Sequence, residues 1–350
     1  MAIQGAHLVG SLTCTDAEST FRVASQHLGG HLRRIPDGEV GPRFHWILFQ
    51  GAAFAATAGL SRVGDEPALL AGFDVRPFAL DGSVEPDRLA FSDLGYADAA
   101  LESYATFARL REAGVVRAGT RFQVSLPTPL AALTTFVHPE ARSAVEGPYT
   151  AALLAELDRI TAAIPAADLA IQFDLAVEFA YLEKSQGRAV AYGRGPWWDD
   201  VAAGLLDRAA HVGRAVPAGV ELGFHLCYGD VGERHFVEPL DATNLVLVAN
   251  GLAERIDREI TWLHLPVPIE RDDAAFFAPL RDLHRHRFAE LYLGLVHHED
   301  GTDGARARIA SAGASGVGDF GLATECGFGR GPAERTAPLL DLHARLAAAW

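Results

Sequence analysis

Glu221-Leu222-Gly223-Phe224-His225-Leu226-Cys227-Tyr228 is an apolar run of strand length that carries two metal-ligating residue types at its C-terminal end. Side chains two apart on a strand share a face, so His225 and Cys227 point the same way. Working outward, seven further runs read as buried strands: His7–Ser11, His31–Pro36, Arg121–Leu126, Leu169–Ala176, Ile260–Val267, Glu290–Val296 and Phe320–Cys326. Helical spacing fills the gaps over Asp16–Leu28, Tyr96–Ala113, Pro148–Ala163, Trp198–Val212, Asp272–His286, Gly304–Ala312 and Ala333–Ala348. Leu153, Leu157 and Ile160, for example, fall on one helix face. Eight strands alternating with helices predict an α/β fold, a (β/α)8 TIM barrel spanning residues 1–350 as a single domain. A doubly wound sheet would gather its ligands at one crevice, whereas here polar residues end nearly every strand.

The pattern breaks once. Residues 37–120, after strand two, are far longer than an ordinary loop. They read as an insertion with a helix over Phe44–Gly59 and a hairpin over Gly72–Phe91 turning at Asp81-Gly82, placed to cover the barrel mouth.

Composition bounds the function. The net charge is −15 in 350 residues, which argues against nucleic acid and anionic membrane surfaces as partners. Lys184 is the only lysine, which disfavours Schiff-base chemistry. Three cysteines make no disulfide framework. No run of about 18 apolar residues occurs and the N-terminus lacks a basic start, so a soluble, cytoplasmic protein is expected. The expected partner is a small molecule, with a homodimer admitted.

Cys326, in Thr324-Glu325-Cys326-Gly327, ends the eighth strand on the rim where His225 and Cys227 end the fifth. One imidazole and two sulfurs suit zinc with an open fourth position. His264, ending strand six, is the candidate fourth ligand, ahead of Glu238 and Asp230. His297-His298-Glu299-Asp300 after strand seven supplies further imidazoles, read as acid/base groups or as a solvated pair.

At these positions the chain resembles the C-terminal barrel of cobalamin-independent methionine synthase and its single-barrel relatives, in a superfamily with uroporphyrinogen decarboxylase. Leu8-Val9-Gly10-Ser11 is similar to the family's opening Gly-Ser strand, Asp37-Gly38-Glu39 with Arg43 to its Gly-Glu motif, and Gln172-Phe173-Asp174 to its Gln-x-Asp strand end. His225-Leu226-Cys227 resembles the zinc-binding His-x-Cys, and Cys326-Gly327 the final Cys-Gly. The resemblance implies zinc held by His225, Cys227 and Cys326, and substrate held by Ser11, Glu39 and Asp174, and Arg43 beside them is a further candidate substrate contact. It departs where the family has a glutamate ligand after strand six, since Leu263 and His264 stand there.

The function expected from these residues is zinc-dependent transfer of a methyl or alkyl group to or from a thiol, with the substrate, a thiol or amino acid, activated as a zinc-bound thiolate. Asp174, His297 and His298 are the candidate catalytic residues. The alternative is a zinc-dependent lyase or hydrolase at the same mouth. Two further readings are a ligand-binding barrel lined by Trp46, Trp197, Trp198 and Trp262, and a metal-free decarboxylase with Arg33, Arg34, Arg43 and Arg121 holding carboxylates.

Overall fold

The computed structural model describes residues 2–190, 195–230, 232 and 234–350. Eight strands form one sheet: Ile3–His7 (β1), Arg34–Pro36 (β2), Arg121–Pro127 (β3), Leu169–Leu175 (β4), Glu221–Leu226 (β5), Ile260–Pro266 (β6), Phe288–Gly294 (β7) and Phe320–Ala323 (β8). Every pairing is parallel, in the order β1-β8-β7-β6-β5-β4-β3-β2, so strands adjacent in sequence lie side by side. The end strands meet through a parallel bridge between Ala6 and Leu32. The Ala6 amide also donates to the His31 carbonyl at 2.9 Å. This curled α/β sheet agrees with the expected TIM-like barrel. Its strands are buried on both faces, as β4 shows with all seven residues buried.

Two expectations shift in detail. The first strand is Ile3–His7 and not His7–Ser11, because the carbonyls of Leu8 and Val9 are satisfied by side chains. Gln123 Nε2 donates to both, at 3.1 and 3.0 Å, and Gln172 Nε2 donates to Val9 at 2.7 Å. Between β2 and β3 the chain forms a kinked 3-10 segment, Gly41–Gln50, a short helix, Gly51–Ala56, two small antiparallel pairs, and the helix Tyr96–Glu112. The tight turn falls at Ala71-Gly72, joining Leu69–Leu70 to Phe73–Asp74, because both turn residues adopt positive φ. Asp81-Gly82 instead follows the strand Phe78–Leu80.

The N-terminal ends of the strands hold a buried ionic layer. Arg34, 1% exposed, reaches Glu290 at 2.9 Å and Glu221 at 3.0 Å. Its guanidinium lies over the Trp262 ring, 4.1 Å from the centroid. Arg33 pairs with Glu290 at 2.6 Å and Arg121 with Glu221 at 2.9 Å. Parallel strands put all their starts at one end, so these three arginines sit opposite Cys227 and hold protein carboxylates. The decarboxylase reading loses them as substrate contacts. Among the described residues, no helix is long and apolar enough to cross a membrane.

Candidate metal centre at the barrel mouth

Cys227 follows the last residue of β5, and Cys326 lies three residues beyond β8. Their sulfurs are 3.8 Å apart, and Cys326 Sγ is 3.6 Å from His225 Nε2. One ligand atom from each of the three residues falls within 4.8 Å of the others. Convergence on one rim is a direct product of the sheet order, which brings residues 99 apart in sequence into contact.

His264 stands behind this cluster and not within it. Its Nε2 lies 3.0 Å from the Thr324 carbonyl and its Nδ1 lies 2.7 Å from His225 Nδ1. Burial lowers the pKa of both rings, His264 to about 3, so each is neutral and carries one N–H. A carbonyl only accepts, so His264 donates from Nε2 and its Nδ1 is an acceptor. His225 therefore donates from Nδ1, which leaves the Nε2 lone pair facing the sulfurs. His264, expected as the fourth ligand, thus has both ring nitrogens engaged by protein groups and sets the tautomer of His225.

A cavity of about 430 Å³ opens over the cluster. Ser11, Glu39, Asp174, His225, Cys227, Cys326 and Arg330 reach it. Ser11 is pinned because Gly327 and Gly329 pack on it: a Cβ at Gly327 would stand 2.4 Å from Ser11 Oγ. Asp174 accepts from Gln172 Nε2 at 2.9 Å. Glu39 sits at φ +50°, a conformation costly for a residue with a side chain, held by its amide donating to Asp37 Oδ1 at 3.0 Å. Burial pushes the Glu39 carboxyl up to about 7 against the pull of Arg330 and Arg43, and burial together with Glu39 pushes Asp174 well up. Arg43 does not line the cavity; it pairs with Asp37 at 2.5 Å.

The segment between β2 and β3 contributes Phe44, Trp46, Leu48, Leu70 and Ala71 to the cavity wall. Trp46, at φ 55° and ψ −114°, is a second strained residue facing the same space. Of the other tryptophans, Trp262 is buried inside the sheet, and Trp197 and Trp198 pack against Arg208. His297 and His298 lie elsewhere, in an adjoining polar chamber that shares Asp230, Cys326 and Arg330 with the first. His297 Nε2 is 2.9 Å from the Val267 carbonyl, and Asp300 is held by Arg308 at 2.6 Å. Sequence reading missed Arg330, paired with Asp230 at 2.5 Å across 100 positions. It expected Trp46 at a pocket and missed Phe44, Leu48 and Leu70 beside it, because neither these nor Arg330 follow any local spacing.

No sequence-family model matches the chain, and no curated protein matches it by sequence. Solved structures do match over nearly the full length. A putative vitamin-B12-independent methionine synthase from Listeria monocytogenes aligns at TM-score 0.58 and 15% identity, covering 99% of this chain and 97% of that one. A B12-independent methionine synthase from Shewanella sp. W3-18-1, in complex with selenomethionine, aligns at 0.60 and 13%, covering 98% and 96%. A methyltransferase from Methanosarcina mazei aligns at 0.55 and 14%, covering 99% and 94%. From end to end, then, the chain shares the fold of the methionine synthase-like barrels.

Proposed function

We propose that the chain is a zinc-dependent transferase that moves a methyl or alkyl group to or from a thiol, with residues 37–120 as an insertion roofing the (β/α)8 barrel mouth. One observation carries the reading. Zinc bonds of about 2.3 Å to sulfur and about 2.0–2.1 Å to nitrogen, at the tetrahedral angle, put two sulfurs about 3.8 Å apart and sulfur and nitrogen about 3.6 Å apart. Cys326 Sγ stands 3.8 Å from Cys227 Sγ and 3.6 Å from His225 Nε2, and the three ligand atoms all lie within 4.8 Å of one another. The His225 tautomer offers its lone pair to the same point, and the Gly229 amide donates to Cys227 Sγ at 3.3 Å, which helps fix that sulfur in place. The three residues therefore fit zinc and would hold it. The glutamate ligand that the resemblance implies has no counterpart among them.

Zinc bound there would supply the Lewis acidity that makes a thiol ionise near neutral pH. The chain's own residues do the rest. Glu39 and Asp174 bind and orient a substrate cation such as an ammonium, each charge-assisted contact contributing about 1.5–3 kcal/mol. Trp46 and Phe236 exclude water from the reacting sulfur. Transfer is a displacement in which the S–C bond forms as the donor's bond to the same carbon breaks, the thiol proton having left beforehand. The Shewanella protein's selenomethionine, a methylated selenol, belongs to the product class this reading expects. A lyase or hydrolase would need His297 or His298 as acid/base groups, and both face the other chamber.

The test is metal content of the purified protein against Cys326→Ser, followed by mass spectrometry of thiol mixtures with methyl donors. Zinc at one equivalent, lost in the variant, and an alkylated thiol are the expected results. Wild type without zinc after metal loading would refute the reading.

A further inference from the structure

Most of the surface that the 430 Å³ cavity exposes is hydrocarbon: Val9, Phe44, Ile47, Leu48, Leu70 and Phe236 line it, with Ser11, Glu39, Asp174, Asp230 and Arg330 among them. Cavities of about 300–1,000 Å³ bury drug-sized ligands, and a short amino-acid thiol leaves most of such a space empty or wet. Water against the Phe44, Leu48, Leu70 and Phe236 side of this lining would find few polar partners, so that side favours an apolar occupant. Glu39 and Asp174 both face this space and offer their carboxyl oxygens to a substrate cation. Leu70 and Ala71 reach the cavity from the tip of the hairpin Leu69–Leu70/Phe73–Asp74, where Leu69 is 70% exposed and Leu70 is turned inward.

We infer that the substrate is an aminothiol with a bulky alkyl or aryl body, and that the hairpin tip at Leu70 and the strained Trp46 select for it. The inference rests on the transferase reading for its sulfur, and on the cavity wall for its body. An apolar chain extending from the ammonium lies along Trp46 and under Leu70, and each methylene removed from water tightens binding about fourfold.

The two parts are separable by experiment. Calorimetric titration of the zinc-loaded protein with straight-chain alkylamines from ethylamine to hexylamine reads the body without the thiol. Kd is expected to fall about fourfold per methylene, and the dependence to flatten to under twofold in Leu70→Asp, measured at a temperature where the variant's melting curve shows it folded. Trp46→Ala is expected to weaken hexylamine about tenfold or more and ethylamine by less than threefold. Kd independent of chain length, no binding of hexylamine, or an undiminished dependence in Leu70→Asp would each overturn the inference while the thiol assay still decides transfer. Conversely, a steep chain dependence with no alkylated thiol product keeps this occupant class and removes the transferase.

Discussion

Replacing His264 with leucine tests the tautomer argument directly. In wild type the His225 Nδ1–H has its acceptor at 2.7 Å, and His264 is fully buried, so no water stands in for it. Without metal, the variant relieves the loss: His225 shifts its proton to Nε2, which faces Cys326 Sγ at 3.6 Å. Zinc needs the Nε2 lone pair, so binding forces the proton back to Nδ1, where nothing accepts it. An unsatisfied buried donor costs about 1–3 kcal/mol, and at about 1.4 kcal/mol per decade that is roughly a 5- to 150-fold loss of zinc affinity. Measured consequences of removing the partner of a ligating histidine, about 10–100-fold, fall in the same range. The Thr324 carbonyl also loses its donor, but equally with and without zinc, so it lowers stability and cancels from the affinity. Competition against a chromophoric chelator measures the constant, and Cys326→Ser supplies the scale of an outright ligand loss. A His264→Leu variant with wild-type affinity, or one that binds no zinc at all, would refute the second-layer role.

Three further outcomes follow from the same geometry. Glu39 has its folded pKa raised from 4.5 to about 7, so its neutral form is favoured: this contribution to stability is fully present below about 4.5 and lost as pH rises through about 7. Urea unfolding of Glu39→Gln should therefore match wild type near pH 4.5 and exceed it near pH 8, while alkylamine binding to the wild type strengthens with rising pH and that of the variant does not. Glu290 is held below 4.5 despite burial by Arg34, so its contribution is present above about 4.5 and fades as pH falls through its lowered value. Breaking this buried pair in Glu290→Ala should cost about 3–5 kcal/mol at pH 7 by denaturant titration; a cost under about 1 kcal/mol would show that Arg34 is hydrated. In Gly327→Ala the added carbon meets Ser11 at 2.4 Å, so the loop beside Cys326 must shift; a loss of about 1–3 kcal/mol is expected together with weaker zinc binding, and unchanged values for both would sink the packing argument.

Most strand positions and the clustering of His225, Cys227 and Cys326 were legible because both obey local chemistry. A buried parallel strand must be apolar throughout, and His-x-Cys at its end carries its own geometry, so β5 and its two donors could be read from eight residues. Cys326 followed once the strands were taken in barrel order. The role of His264 was not legible, since its position at the end of β6 is equally consistent with ligation and with support. Only the Thr324 carbonyl, 60 positions away, consumes the second nitrogen and decides between them. Arg33, Arg34 and Arg121 misled for a related reason. A basic residue beside an apolar run reads the same at either end of a strand, and the compensating Glu221 and Glu290 come from other strands. The cavity wall was least visible, because Leu70 and Trp46 act through a turn at Ala71-Gly72 and a kink at His45-Trp46, which set direction without any periodic pattern. The cluster of His225, Cys227 and Cys326 comes from the strand ends, while the segment between β2 and β3 supplies part of the cavity wall above it. If the proposed transferase reading holds, a relative that kept His225, Cys227 and Cys326 but exchanged that segment would still bind zinc and would take a different substrate.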